Sequence, residues 1–140
     1  VIVLENKKSF ENADVFYTIP DIKATAVLFG SGKAAALLAQ LKWLHNCQLI
    51  YWGDIDAEGF EILNMLRNYF LHLESIFMDD ETLRFHRSFI TKGNAAPKKV
   101  LDALNDEEMD LYEFVCANQI RLEQELLFHD FVSSGLKSLA

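Results

Sequence analysis

The 140-residue sequence predicts an α/β fold, a largely parallel, Rossmann-like sheet of four strands flanked by helices and followed by a helical C-terminal extension. Three observations lead there. Short apolar runs rich in strand-forming residues recur at 1–4, 26–29, 49–52 and 74–78, bounded by Gly or acidic residues as buried strands are. Helix-period segments separate the later runs, and buried strands alternating with helices favour a parallel, three-layer arrangement. The last third of the chain shows helical periodicity without strand signals.

Taken in order, Val1 to Leu4 is the first strand and ends on Glu5. Asn6, Lys7 and Lys8 follow, and Ser9 suits the cap of a short helical turn. Residues 14–18 read as a brief extended piece before the turn signal of Pro20 and Asp21. The second strand breaks at Gly30-Ser31-Gly32, after which an Ala- and Leu-rich helix is expected over 33–44. The third strand, 49–52, passes through Gly53 to Asp54 and Asp56. Phe60, Leu63, Leu66 and Phe70 then mark a helix over 57–70.

The fourth strand ends on Asp79-Asp80. Beyond it a short helix is expected at 82–88, a loop at 92–97 and a helix at 98–104. Asp106-Glu107-Glu108 suits a helix N-terminus. Apolar periodicity carries that helix through Leu111, Phe114, Val115, Ile120, Leu122 and Leu126, and Gly135 is expected to end or break the final one. The division is a core at 1–90 and an extension at 91–140 packed on the same domain.

Composition narrows the function. A 51% hydrophobic content with 12% aromatics supplies a core for one domain. No apolar stretch reaches the ~20 residues of a membrane helix, and the strand-like opening Val1-Ile2-Val3-Leu4-Glu5 leads to the expectation of no signal peptide. Cys47 and Cys116 read as small core residues in a reducing, cytoplasmic compartment. The chain opens without Met, so an excised fragment with domains upstream is expected. A net charge of −8 argues against gripping nucleic acid by bulk electrostatics. It leaves room for a nuclease, because metal-binding carboxylates themselves make a site acidic.

Asp54 and Asp56 are the leading site candidates. Residues i and i+2 of a strand share a face ~7 Å apart, and hard oxygen ligands suit Mg²⁺ or Mn²⁺. An equal alternative makes Asp56 a helix cap and Asp54 a solvated loop acid. Glu5 tips the balance, because the carboxyl end of a parallel neighbour lies on the same rim. There it would ligate a metal or act as general acid/base, and Asp79 joins by the same strand-end argument.

Lys7 and Lys8 would neutralise the cluster or contact phosphate, or simply be solvated. Gly30-x-Gly32-x-x-Ala35 imitates a dinucleotide fingerprint, and backbone N–H groups of Gly30, Gly32 and Lys33 could meet an anion. A tight turn with close helix–sheet packing is the first reading of the glycines, a phosphate contact the second and NAD binding a distant third. Arg121 and Glu125 read as an i,i+4 surface pair on a helix. His45, His72, His86 and His129 lack ligand spacing and read as surface or structural residues.

Glu5 after a first strand and Asp54-Ile55-Asp56 after a later one resemble the Toprim signature of topoisomerases, primases and related nucleases. Three segments together are similar to a narrower family, the C-terminal domain of the JetD subunit of Wadjet anti-plasmid systems. They are Glu5-Asn6 with Phe10, Tyr51-Trp52-Gly53-Asp54-Ile55-Asp56 with Gly59-Phe60 and Ile62-Leu63, and Arg121-Leu122-Glu123-Gln124-Glu125. Met78-Asp79 and Thr82-Leu83 fit the same pattern.

The resemblance implies a Toprim-like, Mg²⁺- or Mn²⁺-dependent endonuclease domain related to the topoisomerase VI A subunit and hydrolysing DNA within an SMC-like complex. It implies that Glu5 is the general acid/base or a metal ligand, that Asp54 and Asp56 are metal ligands, and that Asp79 and Glu125 support them. Glu123 is a second choice to Glu125. DNA, the SMC-like subunits, upstream domains and a second copy in a homodimer are the partners it implies. A binding or assembly module with a weak or vestigial metal site, or a nucleotide-binding domain, are the alternatives.

Overall fold

In a computed structural model, residues 1–5, 19, 22–30 and 32–139 are described, the side chains of 32–34 excepted. Lys7, Lys8, Asn6, Phe10, the turn at Ser9, the extended piece at 14–18 and the Pro20-Asp21 turn lie outside the described residues. Strands β1 (Ile2–Leu4), β2 (Val27–Phe29), β3 (Ile50–Trp52) and β4 (Glu74–Ser75) form a four-stranded, wholly parallel sheet in the order β2-β1-β3-β4. This is the α/β, Rossmann-like arrangement. Every residue of β1 and β3 is buried, which explains their unbroken apolar runs.

Helix α1 (Ala57–Tyr69) follows β3 directly and buries Phe60, Ile62, Leu63 and Leu66. It packs against the 3-10 helix Gly32–Gln40 and against helix α3 (Asp106–Asn118), where the Phe60 and Tyr112 rings meet edge to face. The last helix, α4 (His129–Lys137), reaches the sheet through Phe77, whose ring touches Trp52 on one side and Phe131 on the other. Tyr112, Val115, Val132 and Leu136 share one hydrophobic cluster with the sheet residues. No helix among the described residues is long and apolar enough to cross a membrane.

Five expected elements differ, each for a visible reason. Residues 32–46 form two 3-10 helices, Gly32–Gln40 and Lys42–Asn46, broken at Leu41, in place of one α-helix. Their inward residues Ala35, Leu38 and Leu44 recur in multiples of three, the period of that helix. The fourth strand stops at Ser75 because Phe77 takes a left-handed φ of 60°, which no strand accommodates. Residues 98–104 form no helix. Their backbone bonds go to neighbours instead: Lys99 N–H donates to the Tyr112 hydroxyl, Ala103 N–H to Asn64 Oδ1, and the Ala103 carbonyl accepts from Arg67.

Helix α3 ends at Asn118, where Gln119 adopts a left-handed φ of 50° and turns the chain into β6 (Ile120–Arg121), antiparallel to β5 (Thr91–Lys92). Arg121 and Glu125 are therefore not one helical turn apart. Gly135 neither ends nor breaks α4: it lies inside the helix, where a Cβ would overlap the Phe77 ring. The short helix near residue 82 is α2 (Asp80–Phe85). Cys47 and Cys116 are free thiols, each only partly buried.

A buried ion pair joins α1, β4 and α3. Arg67 donates from both terminal nitrogens to the two Glu108 oxygens, while Ser75 Oγ (2.7 Å) and Asn105 N–H (3.0 Å) donate to the same carboxylate. Burial raises the Glu108 carboxyl, but the bonds from Arg67, Ser75 and Asn105 outweigh it and hold it below the usual range. Removing one partner leaves the other charged and dry. Arg67→Ala or Glu108→Ala is expected to cost ~3–5 kcal/mol in denaturant unfolding; a cost within ~0.5 kcal/mol would mean the pair holds nothing together.

Candidate active site

Strand register brings the acids together. Leu4 pairs with Trp52, and the Glu5 N–H donates to the Trp52 carbonyl at 3.2 Å, so Glu5 stands beside Gly53-Asp54. The strand order reverses direction between β1 and β3, and in open parallel sheets the crevice at such a switch point is where ligands bind. Glu5 Oε2 accepts from the Asp54 N–H (3.0 Å) and from the Tyr51 hydroxyl (2.9 Å). Two glycines permit that approach: a Cβ at Gly53 would overlap Glu5 Oε2 and the Tyr51 hydroxyl, and one at Gly59 the Asp54 carbonyl.

Asp54 is 1% exposed and fully engaged. Its Oδ1 accepts from the Gln124 N–H (2.9 Å) and its Oδ2 from Arg121 Nη2 (2.5 Å). Asp56 caps α1, its Oδ1 accepting from the Gly59 N–H at 2.8 Å, while its Oδ2 lies 3.4 Å from Arg121 Nε. Arg121 Nη1 is also 3.4 Å from Glu123 Oε1. The guanidinium thus faces three carboxylates. It is delivered there by an isolated antiparallel bridge in which Ile55, between the two aspartates, exchanges backbone hydrogen bonds with Leu122 (2.9 and 3.1 Å).

Glu5 carries a strong electrostatic stress. Burial, reinforced by the negative charge of Asp54, pushes its carboxyl up to about 8. Burial also raises the Asp56 carboxyl, against the opposing Gly59 hydrogen bond, and holds the Tyr51 hydroxyl well above its ordinary value. Desolvation works against the Arg121 charge, but the Asp54 hydrogen bond together with the charges of Asp54, Asp56 and Glu123 outweighs it and raises Arg121.

The remaining candidates stand elsewhere. Asp79 caps α2 by accepting from the Thr82 N–H at 2.7 Å. It borders two cavities whose linings include none of Glu5, Asp54 and Asp56. Glu125 lies in the 3-10 turn Gln124–Leu126, one residue after the Gln124 that binds Asp54. The Gly30 N–H is committed to the Leu4 carbonyl at 2.7 Å, and Gly32 opens the first 3-10 helix. The Lys33 side chain lies outside the described residues.

His86 is buried and structural: Nδ1 lies 2.8 Å from the Thr82 carbonyl, and Nε2 accepts from the Phe128 N–H at 3.0 Å. Tyr51, Arg121 and Gln124 are the site residues that sequence reasoning missed. Tyr51 was findable, since it shares a strand face with Gly53; Arg121 was hidden by the false helical pairing.

Oxygen donors of this kind are what Mg²⁺ or Mn²⁺ take. Among the described residues, however, no three His, Cys, Asp or Glu side chains are arranged to hold a metal ion. As they stand, the residues do not fit one.

A carboxyl with a raised folded pKa weakens the fold as it ionises. The unfolded chain loses the Glu5 proton near its ordinary value of 4.5, whereas the folded chain keeps it until about 8. Stability from this residue is therefore full at acid pH and declines across that window. Glu5→Gln is expected to raise the melting temperature relative to the parent by an amount that grows from pH 5 to pH 8. Parallel melting curves across that range would contradict the raised value.

A protein-family model described as "Wadjet protein JetD, C-terminal" matches residues 1–136. No curated protein matches the chain. The match takes in both the GDID turn and the segment docked on it, which together build the carboxylate site. The chain belongs to the family of C-terminal domains of the Wadjet protein JetD.

Proposed function

We propose that this domain is the DNA-cleaving part of a plasmid-defence complex, hydrolysing phosphodiester bonds with Mg²⁺ or Mn²⁺ at the Glu5–Asp54–Asp56 cluster. Membership of the JetD family supports the plasmid-defence role and a place in a multi-subunit assembly. The observation that carries the chemistry is the convergence of Glu5 and Asp54 at the switch point of the parallel sheet, with Asp56 and Glu123 gathered round the same guanidinium. Three carboxylates face one guanidinium, and the Glu5 carboxyl lies beside Asp54. Even with Glu5 protonated, the cluster carries more negative charge than Arg121 neutralises, and a further cation relieves that excess.

Glu5 is the proton carrier in this reading. A carboxyl pushed up to about 8 holds a proton at neutral pH and can exchange it with a phosphodiester oxygen. Tyr51 and the Asp54 N–H, both donating to Oε2, fix that carboxyl's orientation. With a net charge of −8, the domain relies on partner subunits or upstream domains for most of its hold on DNA. The sheet with its DxD-bearing turn is compatible with a Toprim-type catalytic centre.

A second reading, an assembly module with a vestigial site, is favoured by one observation: Arg121 closes on Asp54 within the chain itself. Plasmid cleavage by the assembled complex separates the two. Glu5→Ala and Asp54→Ala are expected to reduce cleavage at least ~100-fold while the complex still forms. Undiminished cleavage by either variant would sink the nuclease reading, and loss of assembly with Asp54→Ala would favour the module.

A further inference from the structure

An open groove of about 1080 Å³ runs between α2 and α4, with none of Glu5, Asp54, Asp56, Arg121 or Gln124 in its lining. Its floor is aromatic. The Phe85 ring stacks on Phe131 at 5.0 Å and meets Phe128 edge-on at 5.9 Å, and Phe77 joins Phe131 at 5.7 Å. Phe85 is 59% and Phe128 47% exposed, so the rings that pack α4 onto the sheet continue into solvent as one contiguous apolar patch. We propose that this groove is the docking site for a basic amphipathic helix of another subunit of the defence complex. The proposal rests on the assembly that family membership implies, not on the nuclease reading.

Charge selects that partner. Asp79, Glu81 and Asp130 line the groove, and among the described residues no Lys or Arg does; His129, also on the lining, sits 3.5 Å from Asp130. Asp80 is neutralised by Arg84 at 2.7 Å, but that pair lies outside the lining. Asp79 and Glu81 have no ion-pair partner among the described residues. An aromatic floor rimmed by carboxylates fits apolar side chains flanked by Lys or Arg, whose charges are attracted by acids and ring faces alike. The same rim repels phosphate, which sets DNA aside. A second copy paired through this groove about a two-fold axis would bring acids against acids.

The shape fits a helix. Two helices wall the groove, and the sheet edge beside it offers little backbone, because β4 is two residues long and stops before the left-handed Phe77. Recognition therefore falls to side chains, as when an amphipathic helix lays its apolar face into a groove. On α4, Ser134 and Gly135 are small and leave room between Phe131 and Leu139. The walls are already joined by buried His86, through the Thr82 carbonyl on one side and the Phe128 N–H on the other, so little ordering remains for binding. Thr82, on the same lining, is 1% exposed and its hydroxyl has no partner among the described residues, which leaves a polar group for an occupant to satisfy.

Photo-cross-linking in the assembled complex tests the occupant. With benzoyl-phenylalanine in place of Phe85, the expected product joins this chain to another subunit, at a segment whose apolar residues recur every three or four positions between Lys or Arg. A cross-link to a second copy, to DNA or to another part of its own chain overturns the proposal. So does the absence of any intermolecular product.

The affinity of this chain for the remaining subunits tests the chemistry, after each variant has been shown to melt cooperatively. Phe85→Ala is expected to weaken association at least ~5-fold at any ionic strength. Glu81→Lys combined with Asp130→Lys is expected to weaken it ~10-fold or more at low salt, with a deficit that shrinks as salt screens the rim. Parental affinity in either variant overturns the proposal. If a variant does not fold, the cross-link decides.

Discussion

The backbone exchange between Ile55 and Leu122 is the constraint on which the site depends. It is a single antiparallel bridge, yet it joins the turn after β3 to a segment almost seventy positions further along. With that register set, Arg121 falls opposite Asp54 and Asp56, and the Gln124 N–H meets Asp54 Oδ1. A slip of one residue would turn these side chains to the opposite face, because the side-chain period of extended backbone is two. The bridge therefore decides which charges meet, and the charges then decide what the site can do.

Those charges are held at close quarters by glycines. Gly53 and Gly59 let Glu5 and the Asp54 carbonyl approach more closely than any side-chain-bearing residue would permit. The consequence is a carboxyl at Glu5 whose proton is retained to about pH 8, next to an aspartate that is wholly buried and wholly engaged. Such a cluster is costly to the fold and is not matched by one guanidinium. It is the kind of stress that functional sites carry.

Much of this was legible in the residues. The four strands and their parallel arrangement followed from short apolar runs separated by helices, and the nearness of Glu5 to Asp54 from two strands ending on acids. Helix α1 and the Asp56 cap were readable from Phe60, Leu63 and Leu66 and from an acid one residue before a helix. The segment after residue 118 was not. Periodic Ile120, Leu122 and Leu126 look like one more helical turn, but Gln119 in a left-handed conformation ends the helix, and the apolar side chains serve a bridge to Ile55. Local periodicity could not reveal a partner so distant in the chain. Residues 98–104 failed for the same reason, since Asn64, Arg67 and Tyr112 capture their backbone groups.

The central claim is that Asp54 and Arg121 form one electrostatic unit rather than two neighbouring charges. A double-mutant cycle in denaturant unfolding, with Asp54→Asn, Arg121→Gln and the combined variant, measures this directly. The account predicts a coupling energy of ~1–3 kcal/mol, with the double variant more stable than the sum of the single losses implies. Additivity to within ~0.5 kcal/mol would contradict it.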